Sequence, residues 1–268
     1  MVLVSPRLIE QHVSDHPLLS RAYAFLEGDE EIQELLKMSN LMAVTRLRYN
    51  DHGIVHARIV AGASLELLGL LADSGVTPTT LRDGSTRSFE EAELVVLLAA
   101  YLHDIGNSIH RLKHEYIGAL LAKDILDRIL PKILEVKGRR LYTFRQEVLH
   151  AIYATEYNTR CLTVEAAVVK IGDGLDMSEG RARVPYRLGK VDMHSVSALS
   201  IRRVEVERGV KPIRIKVYMD DLAGLFQLEE VLNPKIKTSG IEDKIEVSVV
   251  TPDRTLNFYP PQREAGYE

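Results

Sequence analysis

Two histidines and two aspartates, taken from three separate stretches of the chain, have the residue types needed to hold a divalent metal ion. His56 ends the string RYNDHGIVH, His103 and Asp104 are adjacent in AAYLHDIGNSIHRLKHE, and Asp173 lies in VVKIGDGLD. Imidazole and carboxylate ligands suit manganese, iron, cobalt, nickel or zinc better than calcium. No thiolate joins the four side chains, so a structural zinc finger is not expected.

Each of these residues also has an ordinary structural explanation. A histidine in an apolar helix is more often a packed core residue, and adjacent His-Asp pairs arise by chance. The combination favours a shared site, because Asp104 and Asp173 each follow an apolar run, residues 94–100 and 166–171. A carboxylate is costly to bury unless it is paired or bound to a metal. The two aspartates are therefore expected to share a positive partner.

The order His, His-Asp, Asp resembles that of the HD-domain superfamily of metal-dependent phosphohydrolases. The likeness continues through HDIG, HEYIGALLAKDIL and KIGDGLD, and it covers roughly residues 40 to 190. The chain is similar to a prokaryotic group in which a small domain follows the HD core. The resemblance implies that one divalent ion (manganese, iron, cobalt, nickel, zinc or magnesium) is held by His56, His103, Asp104 and Asp173. It leaves the substrate open, since HD proteins act on many phosphate esters.

The chemistry expected of such a site follows from the metal. The ion can lower the pKa of a water molecule and polarise a phosphate group. Asp104 is expected to orient that water or to take its proton, and it is the candidate catalytic residue. Asp176 lies three residues after Asp173 on the same helix face, where it could support a ligand, but a solvated helix end is the preferred interpretation.

Phosphate also needs cationic partners. The stretch after HDIG holds His110, Arg111 and His114, and the resemblance implies phosphate-contacting or second-metal histidines there. A hydrated helix start is the alternative for this stretch. Arginines that flank the two single-ligand segments are further candidate contacts: Arg48, Arg181 and Arg183.

Two departures from the family pattern limit how far the family's site residues can be assigned to this chain. Asn107 follows HDIG where many HD hydrolases have lysine, and the stretch AIYATE lacks a histidine found in many two-metal members. A mononuclear site is therefore expected.

The leading hypothesis is hydrolysis of a nucleotide or related phosphate ester. One alternative is a regulatory module that binds a nucleotide without turnover. Another is a diiron oxygenase with His114 and His150 as extra ligands.

The amino-acid composition limits the classes of binding partner that are expected. The 34 basic and 38 acidic residues give a formal charge of −4, which offers no general electrostatic case for a nucleic-acid or membrane partner. The single cysteine, Cys161, favours a reducing compartment. No apolar run approaches the roughly 20 residues that span a bilayer. We expect a cytoplasmic protein that acts on a small phosphorylated substrate.

Helical periodicity predicts an all-α bundle for the HD part. The predicted helices cover about 52–72, 88–104, 111–130 (ending before Pro131), 140–154 and 164–176, with Ser88 and Thr163 as caps. His52 and His56 share a face of the first of these. Residues 74–87 carry Gly, Pro, Thr and Ser and are expected to form an exposed loop.

After Pro185 the period changes to two, which predicts a small α+β (ββαβ) domain. The division expected is residues 1–40 as an N-terminal helical segment, 41–192 as the HD domain and 193–268 as the α+β domain. Glu205 and Glu207 are expected to neutralise Arg214 and Lys216 across the hairpin. Because a three-stranded sheet leaves open edges, a homo-oligomer is also expected, and a monomer mass in light scattering would reject it.

Overall fold

The computed structural model describes residues 1–178 and 193–261, in which helices predominate and a mixed sheet forms the smaller part. The first helices are α1 (Leu8–Val13), α2 (Pro17–Gly28) and α3 (Glu30–Asn40), followed by a π-helical turn, Leu41–Arg46. Asp29 caps α3, because its Oδ1 accepts a hydrogen bond from the backbone N–H of Ile32 at 3.1 Å.

Two apolar helices, α4 (Ile54–Asp73) and α6 (Phe89–Leu102), form the centre of the helical part. All residues of α6 from Glu91 to Leu102 are buried, so this helix needs neighbours on every side. It packs against α4 and α2, and α1 packs against α4. The predicted cap is present, since Ser88 Oγ accepts from the Glu91 backbone N–H at 3.3 Å.

The segment between these helices corrects one prediction. Residues 74–87 are not a plain exposed loop, because they contain α5 (Thr79–Arg82) and Thr80 is buried. The fully buried carboxylate of Glu165 accepts hydrogen bonds from the Thr80 backbone N–H at 2.9 Å and from its hydroxyl at 2.5 Å. Without these partners a carboxylate would be costly to bury there. The connector is therefore attached to a core helix much further along the chain, the one that carries Glu165.

The remaining core helices are α7 (His114–Ile133), α8 (Arg139–Tyr153) and α9 (Val164–Leu175). Both ends of α7 differ from the prediction. Lys113 has a left-handed backbone with φ 60°, so the helix begins at His114. It continues past Pro131, because Leu130 and Ile133 are buried and hold the last turn in the core. At the start of α9, Thr163 caps the helix as predicted.

After α10 (Met193–Leu199), the chain forms most of a five-stranded sheet. Its strands lie in the order β1 (Val2–Leu3), β2 (Ile201–Glu207), β3 (Ile213–Met219), β4 (Ile245–Val250) and β5 (Thr255–Tyr259). The predicted hairpin is β2–β3, with Val204 opposite Val217 and Val206 opposite Ile215. Between β3 and the parallel β4, the chain passes through short helical turns and α11 (Asn233–Ser239).

The ββαβ description is therefore incomplete. The structure adds β5 beyond β4, and β1 from the start of the chain pairs with β2. Two residues are too few to show an alternating pattern, which is why β1 escaped prediction. The edges are thus β1 and β5 rather than those of a three-stranded sheet, and self-association remains a prediction.

The hairpin carries the ion pairs expected of Glu207 but not those expected of Glu205. Glu207 Oε1 lies 2.6 Å from Lys216 Nζ and 3.7 Å from Arg214 Nη1. Glu205 pairs instead with Arg203 on its own strand, at 2.9 Å. Opposite charges thus neutralise one another on this face of the sheet.

The helical part and the sheet share one hydrophobic core. Helix α11 packs on α9, and α4 contacts β2 and β3. The predicted division at residues 40 and 192 stays a prediction, although β1 joins the sheet from within the first segment.

By length and composition alone, α4 would also pass as a membrane-spanning helix, which the apolar-run criterion had not indicated. Buried residues make up 61% of its most apolar window, as in the core helix of a soluble protein, so the indication is weak.

One network in this core predicts a dependence of stability on pH. Glu27 Oε1 accepts hydrogen bonds from Arg58 Nε and from the Tyr101 hydroxyl, both at 2.8 Å. Burial alone would raise the pKa of Glu27, but its bonds with Arg58 and Tyr101 outweigh burial and hold the pKa below 4.5. Such a group stabilises the fold above its unfolded pKa, and the contribution is lost as the pH falls below 4.5.

Glu27→Gln should therefore reduce the loss of unfolding free energy between neutral pH and about pH 3. Urea unfolding at a series of pH values measures this loss. The exposed Glu34 provides the control, since Glu34→Gln should retain the wild-type pH dependence. Equal pH dependence in Glu27→Gln and wild-type protein would contradict the prediction.

Candidate metal centre

Four side chains converge where three core helices meet. His56 lies in the first turn of α4, His103 and Asp104 directly follow α6, and Asp173 lies two residues before the end of α9. The packing of α4 on both α6 and α9 brings these positions together. Both histidines and Asp104 are buried, and Asp173 is partly exposed.

The ligand atoms have the spacing of a coordination sphere. His56 Nε2 lies 3.3 Å from His103 Nε2, 3.3 Å from Asp104 Oδ2 and 3.2 Å from Asp173 Oδ1. His103 Nε2 lies 3.5 Å and 3.7 Å from the same two carboxylate oxygens. Ligand atoms held about 2.0–2.2 Å from one metal are separated by roughly 3.0–3.6 Å. The structure thus brings together all four predicted metal ligands.

The hydrogen bonds of the imidazoles show why this cluster fits a cation. His103 Nδ1 donates to the carbonyl oxygen of Ala100 at 2.8 Å, and His56 Nδ1 donates to Asp176 Oδ2 at 2.7 Å. In the neutral rings, both Nε2 atoms therefore present lone pairs to each other and to two carboxylate oxygens. A divalent ion would relieve that repulsion. Two nitrogen and two oxygen donors suit the borderline metals expected from the sequence.

Asp104 is held by side chains around the cluster. Its Oδ2 lies 2.6 Å from His52 Nδ1, while its Oδ1 accepts from Asn107 Nδ2 at 2.8 Å and lies 3.2 Å from His114 Nε2. Burial alone would raise the pKa of Asp104, but its hydrogen bonds with His52 and His114 outweigh burial and hold the pKa well below its usual value. These contacts favour the ionised form of the Asp104 carboxylate.

Asp173 divides its two oxygens between the cluster and a lysine of the C-terminal segment. Oδ1 faces His56 and His103, and Oδ2 accepts from Lys235 Nζ at 2.7 Å. Burial alone would raise the pKa of Asp173, but the charge of Lys235 opposes burial, and the pKa lies well below its usual value.

Two predicted phosphate contacts lie beside Asp104. Arg111 Nη1 is 3.0 Å from His114 Nε2 and 4.0 Å from Asp104 Oδ1, and the Arg111 side chain is 32% exposed. His114 is buried, with Nδ1 3.1 Å from Glu115 Oε2, and so it is not part of a hydrated helix start. Burial alone would lower the pKa of His114, but its bonds with Asp104 and Glu115 outweigh burial and raise it.

The other predicted contacts are placed differently. The exposed His110 uses Nδ1 to accept from the Leu112 backbone N–H at 2.9 Å, so its ring turns to its own loop rather than to the cluster. Arg48 is exposed just after the π-helical turn, with φ 57°. Arg181 and Arg183 lie outside the described residues.

Sequence reasoning missed three supporting residues. Asp176 is buried against His56 and is not a solvated helix end; its position three residues after Asp173 was the available signal. His52, four residues before His56, was seen to share its face but not to hold Asp104. Lys235 gave no signal, because nothing local to it suggests a carboxylate partner.

The comparisons agree with this geometry. The family model described as HD domain matches residues 54–178, which include all four clustered ligands. The chain is similar to "Uncharacterized protein MJ1020" of Methanocaldococcus jannaschii, with 46% identity over 226 residues, 84% of this chain and 86% of the relative. No solved structure matches the chain.

HD domains bind divalent metals, and this chain has buried histidine and aspartate groups that could hold one within the matched residues. The family model, the motif order and the converging ligands agree. The chain belongs to the HD-domain superfamily.

Proposed function

We propose that the chain is a metal-dependent phosphohydrolase that cleaves a nucleotide or a related phosphate ester. The observation that carries the proposal is the pair of imidazole nitrogens 3.3 Å apart, with carboxylate oxygens of Asp104 and Asp173 beside them. A bound divalent ion supplies Lewis-acid activation of water and of a phosphate oxygen. HD family membership supports this class of reaction.

The role proposed for Asp104 in this chemistry is to orient the attacking water. With its pKa well below the usual value, its carboxylate accepts a proton poorly at neutral pH. Its two oxygens are already engaged by His52 and Asn107. Of the two roles expected for Asp104, orientation of the attacking water is therefore favoured over proton abstraction.

Arg111 and His114 supply donors for the phosphate. The guanidinium of Arg111 is always charged and partly exposed next to Asp104, so it can reach a substrate oxygen. His114 lies between Arg111 and Asp104, and its bonds with Asp104 and Glu115 raise its pKa. Charge-assisted hydrogen bonds from such groups hold a phosphate dianion well.

The setting we propose is cytoplasmic, with a small phosphorylated substrate. The net charge of −4 and the buried, unpaired Cys161 support it. The diiron alternative finds no support, because His150 Nε2 accepts from the Leu162 backbone N–H at 3.2 Å instead of joining His114 at the cluster.

The test is a metal-reconstituted activity screen. Metal-free protein is loaded in parallel with manganese, iron, cobalt, nickel, zinc or magnesium and offered nucleotides, phosphomonoesters and phosphodiesters. At least one combination of metal and substrate should show turnover. The Asp104→Ala variant should lose more than about 100-fold of that activity, since loss of an outer-shell partner alone costs 10- to 100-fold in metal affinity or activity. No turnover with any metal, or undiminished turnover in Asp104→Ala, would overturn the proposal. A nucleotide that stabilises the protein but stays intact would favour the regulatory alternative.

A further inference from the structure

We propose that Lys235 is a positioning residue that keeps Asp173 a one-oxygen ligand of the metal, so that the C-terminal α+β segment is part of the site. Lys235 lies beyond the residues 54–178 that match the HD family, yet its ammonium contacts a clustered ligand. The inference rests on the metal binding in the proposed function and not on hydrolysis.

The geometry of Asp173 is the first step. Its Oδ2 lies 2.7 Å from Lys235 Nζ, while its Oδ1 lies 3.2 Å from His56 Nε2 and 3.7 Å from His103 Nε2. With one oxygen held by the ammonium, the carboxylate cannot turn both oxygens toward the cluster. A single oxygen leaves more positions on an ion free for water and substrate.

Lys235 is itself firmly held, which it must be to hold another residue. It is 2% exposed, its Nζ also donates to the Thr155 carbonyl oxygen at 3.3 Å, and the ring of Tyr157 lies 4.6 Å away.

The glycine after Asp173 leaves room for this approach. A Cβ at Gly174 would lie 3.1 Å from Lys235 Cδ and 3.1 Å from Leu232 Cδ1, tighter than ordinary van der Waals contact. Because Gly174 has no side chain, α11 can pack on α9 closely enough for the lysine to reach the carboxylate.

A second buried lysine, Lys170, shows that a lysine can be buried in this core without contacting a carboxylate. Lys170 is fully buried and donates to the Thr159 carbonyl oxygen and to Thr238 Oγ1, at 2.5 Å and 2.9 Å. Lys170→Met therefore controls for the loss of a buried lysine. The exposed Lys237, on the same helix as Lys235, controls for the loss of charge.

Removal of the ammonium should change both affinity and coordination. A unit charge roughly 5 Å from a divalent ion changes its affinity on the order of tenfold even at the dielectric constant of water. Lys235→Met should therefore bind Mn²⁺ about tenfold more tightly, because the repulsion is gone and Asp173 gains a second free oxygen. The visible spectrum of the Co²⁺-loaded variant should shift toward a higher coordination number.

The experiment measures Mn²⁺ binding by calorimetry and the Co²⁺ spectrum for each variant. Lys235→Arg should resemble the wild type in both, and Lys237→Met and Lys170→Met should keep the wild-type spectrum. If Lys235→Met does not fold, Lys235→Leu removes the same charge and the same hydrogen-bond donor and carries the same expectation. An unchanged spectrum, or Mn²⁺ binding no tighter than in the wild type, would overturn the inference. Because no substrate is used, the experiment tests this inference even if the protein binds metal and hydrolyses nothing.

Discussion

Gly106→Ala is expected to destabilise the protein by about 3 kcal/mol and to displace the segment that carries His103 and Asp104. A Cβ at this position would lie 2.0 Å from the carbonyl oxygen of His114 and 2.5 Å from the backbone nitrogen of Gly118. Both atoms belong to the backbone of α7, so no side chain can move aside. Relief of the clash would shift α7 away from the short 3₁₀ helix Ile105–Ser108, and His114 away from Asp104.

Urea unfolding measures the destabilisation, and a metal titration reports on the displaced site. Gly69→Ala is the matched control, because nothing lies within 4 Å of a Cβ built there. In the interior of α4, that change should raise stability by about 0.5–1 kcal/mol. Wild-type stability and metal affinity in Gly106→Ala would refute the close packing of α7 on this segment.

A bound metal ion should stabilise the fold, and this stabilisation should depend on His103. At an ion concentration 100 times its Kd, binding to the folded state alone adds about 2.7 kcal/mol. For a chain of this size, that raises the Tm by roughly 5–10 °C. His103→Ala should abolish the increase, because one of the two facing imidazole nitrogens is lost. Thermal unfolding with and without Mn²⁺, and after chelation, gives the measurement.

His110→Ala is the control for this second prediction. His110 is an exposed histidine seven residues further along the chain, and it is turned toward Leu112. Its loss should leave the thermal shift intact. Retention of the shift in His103→Ala, or its loss in His110→Ala, would show that the ion binds elsewhere. Acid should reduce the shift in the wild type, since protons compete with the metal for imidazole and carboxylate ligands.

The elements that were predicted well are those whose signals are local. Ser88 and Thr163 cap their helices because a hydroxyl reaches a backbone N–H three residues on, whatever lies elsewhere in the fold. The β2–β3 hairpin was visible because alternation on each strand needs only one buried face. Both ends of α7 were misplaced, since the left-handed Lys113 and the buried turn after Pro131 depend on packing.

By itself the sequence determined the identities and order of the four clustered residues, because each of the three short stretches that carry them has a recognisable local pattern. Only the tertiary structure decided what surrounds them. Asp176 reaches His56 across 120 residues, and Lys235 reaches Asp173 across 62. Such pairs form because helices far apart in sequence bury their apolar faces against one another, and no local pattern reports which polar groups then meet.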